Sequence, residues 1–158
     1  MELKLLYAII LTILPITELR VGLPIAILYA KENGIPLIII FLFILLINLI
    51  LIFLIFLFLD FLHERLMNLK FYKKFFNFYL KRFQKRVDKF EKRHEALGFL
   101  ALVIFVAIPL PGTGAWSGCL VSWILGLERK KSILFISVGI IIAGLLIFLG
   151  TLGFLRAF

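Results

Sequence analysis

Two charged residues stand inside a stretch that is otherwise almost wholly apolar. Glu18 and Arg20 interrupt the run from Leu5 to Ala30. If that run lies in a bilayer, such charges are expensive and must face each other or a watery cavity. Desolvation favours a neutral Glu18, whereas the neighbouring guanidinium favours its carboxylate form. That balance suits a group that exchanges protons. Arg20 stays charged and can hold a phosphate through a planar fork of donors. The competing role is an ion pair that only locks the local turn. A second group stands far along the chain, in Pro109-Leu110-Pro111-Gly112-Thr113-Gly114-Ala115-Trp116. Two prolines and two glycines in six residues cannot continue a helix. A helix restarting near Ala115 would turn its positive end toward this turn. Gly112 and Gly114 leave backbone N–H groups accessible there, and Thr113 and Ser117 add hydroxyls. The competing role is a tight turn for packing. With Thr17 beside Glu18 and Asn48 alone in an apolar run, these residues form a candidate anion site: Arg20, Thr17, Gly112, Thr113, Gly114, Ser117 and Asn48, with Glu18 as proton carrier. No lysine follows the glycines, so this is no nucleotide-binding P-loop. There is no Ser/His/Asp set and no metal-ligand spacing, so neither an enzyme nor a metal or other cofactor is expected.

The elements that must position these groups follow from composition. The 158 residues are 63% hydrophobic, with a mean hydropathy of +1.14 and a net charge of +9. An all-α, multi-pass integral membrane protein of the cell membrane, forming one domain over 1–158, is expected. The single cysteine, Cys119, excludes an intrachain disulfide. Met-Glu-Leu-Lys is a poor basic leader and no small-residue cleavage site follows, so the N-terminal stretch reads as part of the mature chain. In 5–33, Pro15 opens an interruption that Gly22 and Pro24 close. Each arm is about ten residues, roughly 15 Å of helix, too short for a core of about 30 Å. The stretch is therefore either one spanning helix with the charges at its centre or a re-entrant hairpin with them at its tip. Residues 36–59 can span. Residues 60–95 hold 11 Lys or Arg against five acids, with apolar residues at steps of three and four. This predicts a basic amphipathic helix on anionic lipid headgroups rather than a nucleic-acid surface. His63 and His94 flank it as interfacial or solvated residues. Residues 96–127 carry no charge and contain the second break. Residues 132–155 can span, with Gly139 and Ala143 as a close-packing pair.

The order is thus broken element, spanning helix, basic helix, broken element, spanning helix. Halves separated by one cytoplasmic segment face opposite ways, the inverted-repeat plan of transporters. Charge selects between hairpins and full crossings. With 60–95 inside, two hairpins also keep Arg129, Lys130 and Lys131 inside, whereas two full crossings place them outside, against the positive-inside rule. Hairpins entering from opposite faces bring both tips toward the midplane. Short elements cover little of one another, so a homodimer is expected.

Two motifs, Thr17-Glu18-Leu19-Arg20-Val21-Gly22-Leu23-Pro24 and Pro109 to Trp116, resemble signatures of the small multidrug export protein family, which looks like a minimal relative of the DedA-like (VTT-domain) membrane proteins. The resemblance implies two opposed re-entrant hairpins. It also implies proton-dependent translocation of lipids, including carrier-lipid phosphates. The chain lacks the extra flanking helices of the larger proteins and a clear paired-arginine motif after the second tip. The leading expectation is a transporter or scramblase for an anionic lipid such as polyprenyl phosphate or a phospholipid, with or without coupling to protons. The alternatives are proton-driven export of small cationic compounds and a non-transporting membrane scaffold.

Overall fold

A computed structural model describes residues 2–66, 92–110 and 112–157, and among these the chain is helical, with no strand. Its elements are α1 (Glu2–Ile13), α2 (Glu18–Glu32), α3 (Leu37–Leu66), α4 (Lys92–Ala107), α5 (Ala115–Ile124) and α6 (Arg129–Ala157). Pro15 ends α1, because a proline cannot donate to the preceding turn. The chain bends through residues 14–17 before α2 begins. Gly34 at φ 67 and Pro36 make the next turn. The expected break in 5–33 is shorter than its composition implies, since Gly22 and Pro24 lie inside α2. The reason is packing. A methyl group on Gly22 would come within 1.9 Å of Thr12 Oγ1 and 2.7 Å of the Ala8 carbonyl oxygen. This glycine brings α1 and α2 together; it does not end a helix.

Contacts along each pair of helices give their directions. Lys4 pairs with Glu32 at 2.7 Å while Thr12 meets Gly22, so α1 and α2 are antiparallel. Phe41 packs on Phe148 at 4.8 Å, Leu45 and Phe41 meet Gly144, and Asp60 pairs with Arg129 at 2.6 Å. Therefore α3 and α6 are antiparallel too. Phe99 stacks on Phe135 at 4.9 Å, while Val103 and Val106 border Gly139, so α4 runs parallel to α6. The close approach at Gly139 agrees with its expected packing role. After α4 the chain reverses, and Gly118 of α5 lies against Val106.

Among the described residues, two helices are long and apolar enough to cross a membrane, Leu37–Arg65 and Arg129–Arg156. At 1.5 Å per residue each is about 40 Å long, more than a hydrocarbon core of about 30 Å. Because α3 is apolar all round, partners rather than polarity choose its inner face. Ile44, Asn48, Ile52, Ile55 and Leu59 are buried at helical spacing, while Leu42, Leu46, Phe53 and Leu57 are exposed. The spanning stretch was expected to stop at residue 59. Instead α3 continues through Asp60 to Leu66. Nothing in Asp60-Phe61-Leu62-His63-Glu64-Arg65-Leu66 breaks a helix, and Asp60 is held by Arg129 and by the Trp123 indole N–H, which donates at 3.2 Å. Most of the expected basic helix, residues 67–91, lies outside the described residues.

Candidate functional site

The two helix breaks meet. Glu18 is the first residue of α2, 5% exposed, and its carboxylate crosses to the start of α5. There Oε2 accepts the Ala115 backbone N–H at 3.1 Å and Oε1 accepts that of Trp116 at 3.0 Å. These are two of the N–H groups that a helix start leaves without internal partners. A carboxylate is the ligand that the positive end of a helix favours. The anion on this helix terminus is thus supplied by the chain itself. Trp116 adds a second tie, its indole N–H donating to the Ile13 carbonyl at 2.9 Å.

Gly114 makes this approach possible. Its backbone is extended, at φ 169, which any residue adopts, so the demand is for space. A methyl group there would lie 1.7 Å from Glu18 Oε2 and 2.7 Å from its carboxyl carbon. The Gly114 N–H is held by Ser117 Oγ at 2.8 Å, which fixes the first turn of α5. Arg20 does not pair with Glu18 at salt-bridge distance. One of its terminal nitrogens donates to Thr113 Oγ1 at 2.6 Å and, at 3.5 Å, to the Ile108 carbonyl. Thr113 Oγ1 in turn lies 2.7 Å from the Ile108 carbonyl and 2.9 Å from that of Leu110. Arg20 therefore braces the turn between α4 and α5, while Glu18 caps the helix beyond it.

Asn48 joins them from the middle of α3. It is 1% exposed, and its side-chain nitrogen is buried without a hydrogen-bond partner. Glu18, Arg20, Asn48 and Gly114 line one narrow cavity of about 10 Å³, closed by Val106, Ile140, Ala143 and Ile147. Of the residues expected to form the site, these four converge, with Thr113 and Ser117 one bond away. Thr17 turns aside, its hydroxyl donating to the Leu11 carbonyl at 2.5 Å, where it caps the end of α1. Gly112 is an exposed turn residue at φ 84. Sequence reasoning did not find the apolar walls of the cavity or the Trp116 bond to Ile13. A tryptophan one residue past the glycine turn was the available signal for the latter.

Comparison with known proteins adds a family. No curated protein and no solved structure matches the chain. A family model described as "Putative small multi-drug export protein" matches residues 18–146, which run from the carboxylate of the site through both helix breaks and into α6. Since that match takes in most of the 158 residues, the chain belongs to this family.

Proposed function

We propose that the protein exports small cationic compounds across the cell membrane in exchange for protons, with Glu18 as the exchanging group. One observation carries this reading: a buried carboxylate, level with the middle of α3 and α6, joins the two helix breaks. As a carboxylate, Glu18 makes two charge-assisted bonds, roughly twice as strong as neutral ones. As a neutral acid it holds the start of α5 more weakly. A cation arriving at the carboxylate competes with the same two N–H groups. Protonation and cation binding thus exclude each other at Glu18, which is the requirement for exchange. In this reading, α1–α2 and α4–α5 are re-entrant hairpins from opposite faces of the bilayer. The antiparallel course of α3 and α6, and the meeting of the two breaks, support an inverted pair of halves. The exposed apolar faces of both long helices suit lipid or a second copy of the chain.

Transport of an anionic lipid, as the DedA-like resemblance implies, keeps one supporting observation. Arg20 stands beside the N-terminus of α5, whose N–H groups become available to a phosphate when Glu18 is neutral. A single experiment separates the two readings. Purified protein is reconstituted in vesicles under a pH gradient, and ethidium and a fluorescent lipid phosphate are followed in parallel. The export reading expects gradient-driven ethidium movement that Glu18→Gln uncouples from pH. Lipid movement that Arg20→Ala stops, with ethidium unmoved, selects the lipid reading. Ethidium flux equal in wild type and Glu18→Gln at every pH overturns the role of Glu18.

A further inference from the structure

Asn48 is a buried donor without a partner, on a helix otherwise free of polar residues from Leu37 to Leu59. Such orphans are rare, because an amide stripped of water and given nothing in return destabilises the fold. The residue lines a cavity of about 10 Å³ together with Glu18, Arg20 and Gly114. That volume is close to what one water molecule needs, roughly 10–15 Å³. Empty cavities in proteins are apolar ones, whereas this wall carries an amide, a carboxylate and a guanidinium.

We infer that the cavity holds one ordered water, which accepts a hydrogen bond from Asn48 Nδ2 and donates to the Glu18 carboxylate, and that this water is the proton's last station before Glu18. The second half of the inference rests on Glu18 exchanging protons; the first half does not. Ile147 lines both this cavity and a larger apolar groove between α2 and α6, of about 410 Å³, which also touches Pro24, Leu28 and Phe154. A hydronium that reaches the cavity gives a proton to the cavity water, which passes one of its own to a Glu18 oxygen. One O–H bond forms at each acceptor, one breaks at each donor, and the cavity water is restored. The charged groups lining the cavity are Glu18 and Arg20, both from α2. The walls from α3, α4 and α6 offer Asn48, Val106, Ile140, Ala143 and Ile147, none of which titrates, and α5 contributes Gly114. The nearby thiol of α5, Cys119, is turned toward the Ile52 carbonyl at 3.9 Å. Asn48 is therefore a positioning residue that acts through the water.

The test uses full-length wild type, Asn48→Leu, Asn48→Ser and Glu18→Gln. Structures at a resolution that shows ordered waters should place one water against Asn48 and Glu18 in wild type and none in Asn48→Leu. Asn48→Leu removes the amide and its water together and leaves no buried donor unpaired, so it should still melt as a folded protein. Its proton uptake after a pH jump, followed with an indicator dye as the component that Glu18→Gln removes, should slow about tenfold or more. Asn48→Ser keeps a polar group and room for water, and should stay within about twofold of the wild-type rate. A wild-type cavity without water overturns the site. A resolved water combined with unchanged uptake in Asn48→Leu overturns its role in proton transfer. If Glu18→Gln removes no uptake, the exchange reading of Glu18 falls, while the water in the cavity is still decided by the density.

Discussion

Replacing Gly114 by alanine should cost far more than its size suggests, and the cost should depend on Glu18. The added methyl would sit 1.7 Å from Glu18 Oε2, so the carboxylate must leave. It then loses the bonds to the N–H groups of Ala115 and Trp116. Hydrogen bonds to a charged partner contribute about 1.5–3 kcal/mol each, so about 3–6 kcal/mol is at stake. Part returns as the carboxylate turns toward Arg20, which places the expected loss near the lower end, about 3 kcal/mol. Glu18→Gln keeps one acceptor, but its NH2 cannot accept the second backbone N–H, so it loses the charge and one of the two bonds, about 1.5–3 kcal/mol. The assay is equilibrium unfolding in mixed detergent micelles, run as a double-mutant cycle. In a Glu18→Ala background the methyl meets no carboxylate, and an extended backbone accepts alanine without strain. There Gly114→Ala should cost less than about 0.5 kcal/mol. The expected coupling is therefore about 2–3 kcal/mol, within the range for residues in direct contact. Additive losses would falsify the claim that Gly114 serves the Glu18 carboxylate.

Thr113→Val removes the acceptor of the 2.6 Å bond from Arg20 and should lower stability by about 1–2 kcal/mol in the same micelles; no loss would mean that Arg20 does not brace the turn. Gly22→Ala should separate α1 from α2 at a cost of about 1–3 kcal/mol, and Thr12→Ala should rescue it only in part because the Ala8 carbonyl stays 2.7 Å from the new methyl; full rescue would contradict the backbone contact. Asp60→Asn should change stability by less than about 1 kcal/mol, since the ion pair with Arg129 is half exposed; a larger loss would show that this end of α3 is buried in the functional assembly. In a Cys119→Ser background, single cysteines at positions 2 and 33 should label from one face of a vesicle, as the Lys4–Glu32 pair requires of two chain ends that lie together; labelling from opposite faces contradicts the hairpin.

Much of this arrangement was legible in the sequence because it is local chemistry. Pro15 and the Pro109–Gly114 turn announce breaks wherever they occur, and a helix restarting at Ala115 follows from where the glycines end. What stayed hidden is non-local. Gly22 and Pro24 look like breakers, yet Gly22 is a contact surface for Thr12, a residue of another helix. Asp60 looks like the end of an apolar helix, yet Arg129 and Trp123 hold it in place and α3 continues. Helices apolar on every side carry no stripe to mark an inner face; in α3 only Asn48 marks it, and it is buried. The sequence reading assembled an anion seat from the glycine turn, the helix terminus and Arg20. It had no means of showing that the anion in that seat is Glu18.

The backbone at Glu18 bears on whether the contact can switch. Glu18 sits at φ 46, in the left-handed region, and is the single non-glycine residue there among those described. Such a conformation costs about 1–3 kcal/mol and persists where the surroundings over-determine it. Here the restraints are the backbone bond to Leu14 at 3.1 Å and the two carboxylate bonds to α5. On the proposed mechanism, protonation halves the strength of the carboxylate bonds, a loss of about 1.5–3 kcal/mol from the range given above. That loss is of the same size as the strain. While Glu18 is ionised the bonds outweigh the strain and the helix breaks stay joined. Once it is neutral the two nearly cancel, and a modest further contribution, such as a ligand's contact with Arg20, suffices to part them. A relaxed Glu18 would need the bonds themselves to fail. The strained residue brings the open arrangement within reach of a single proton.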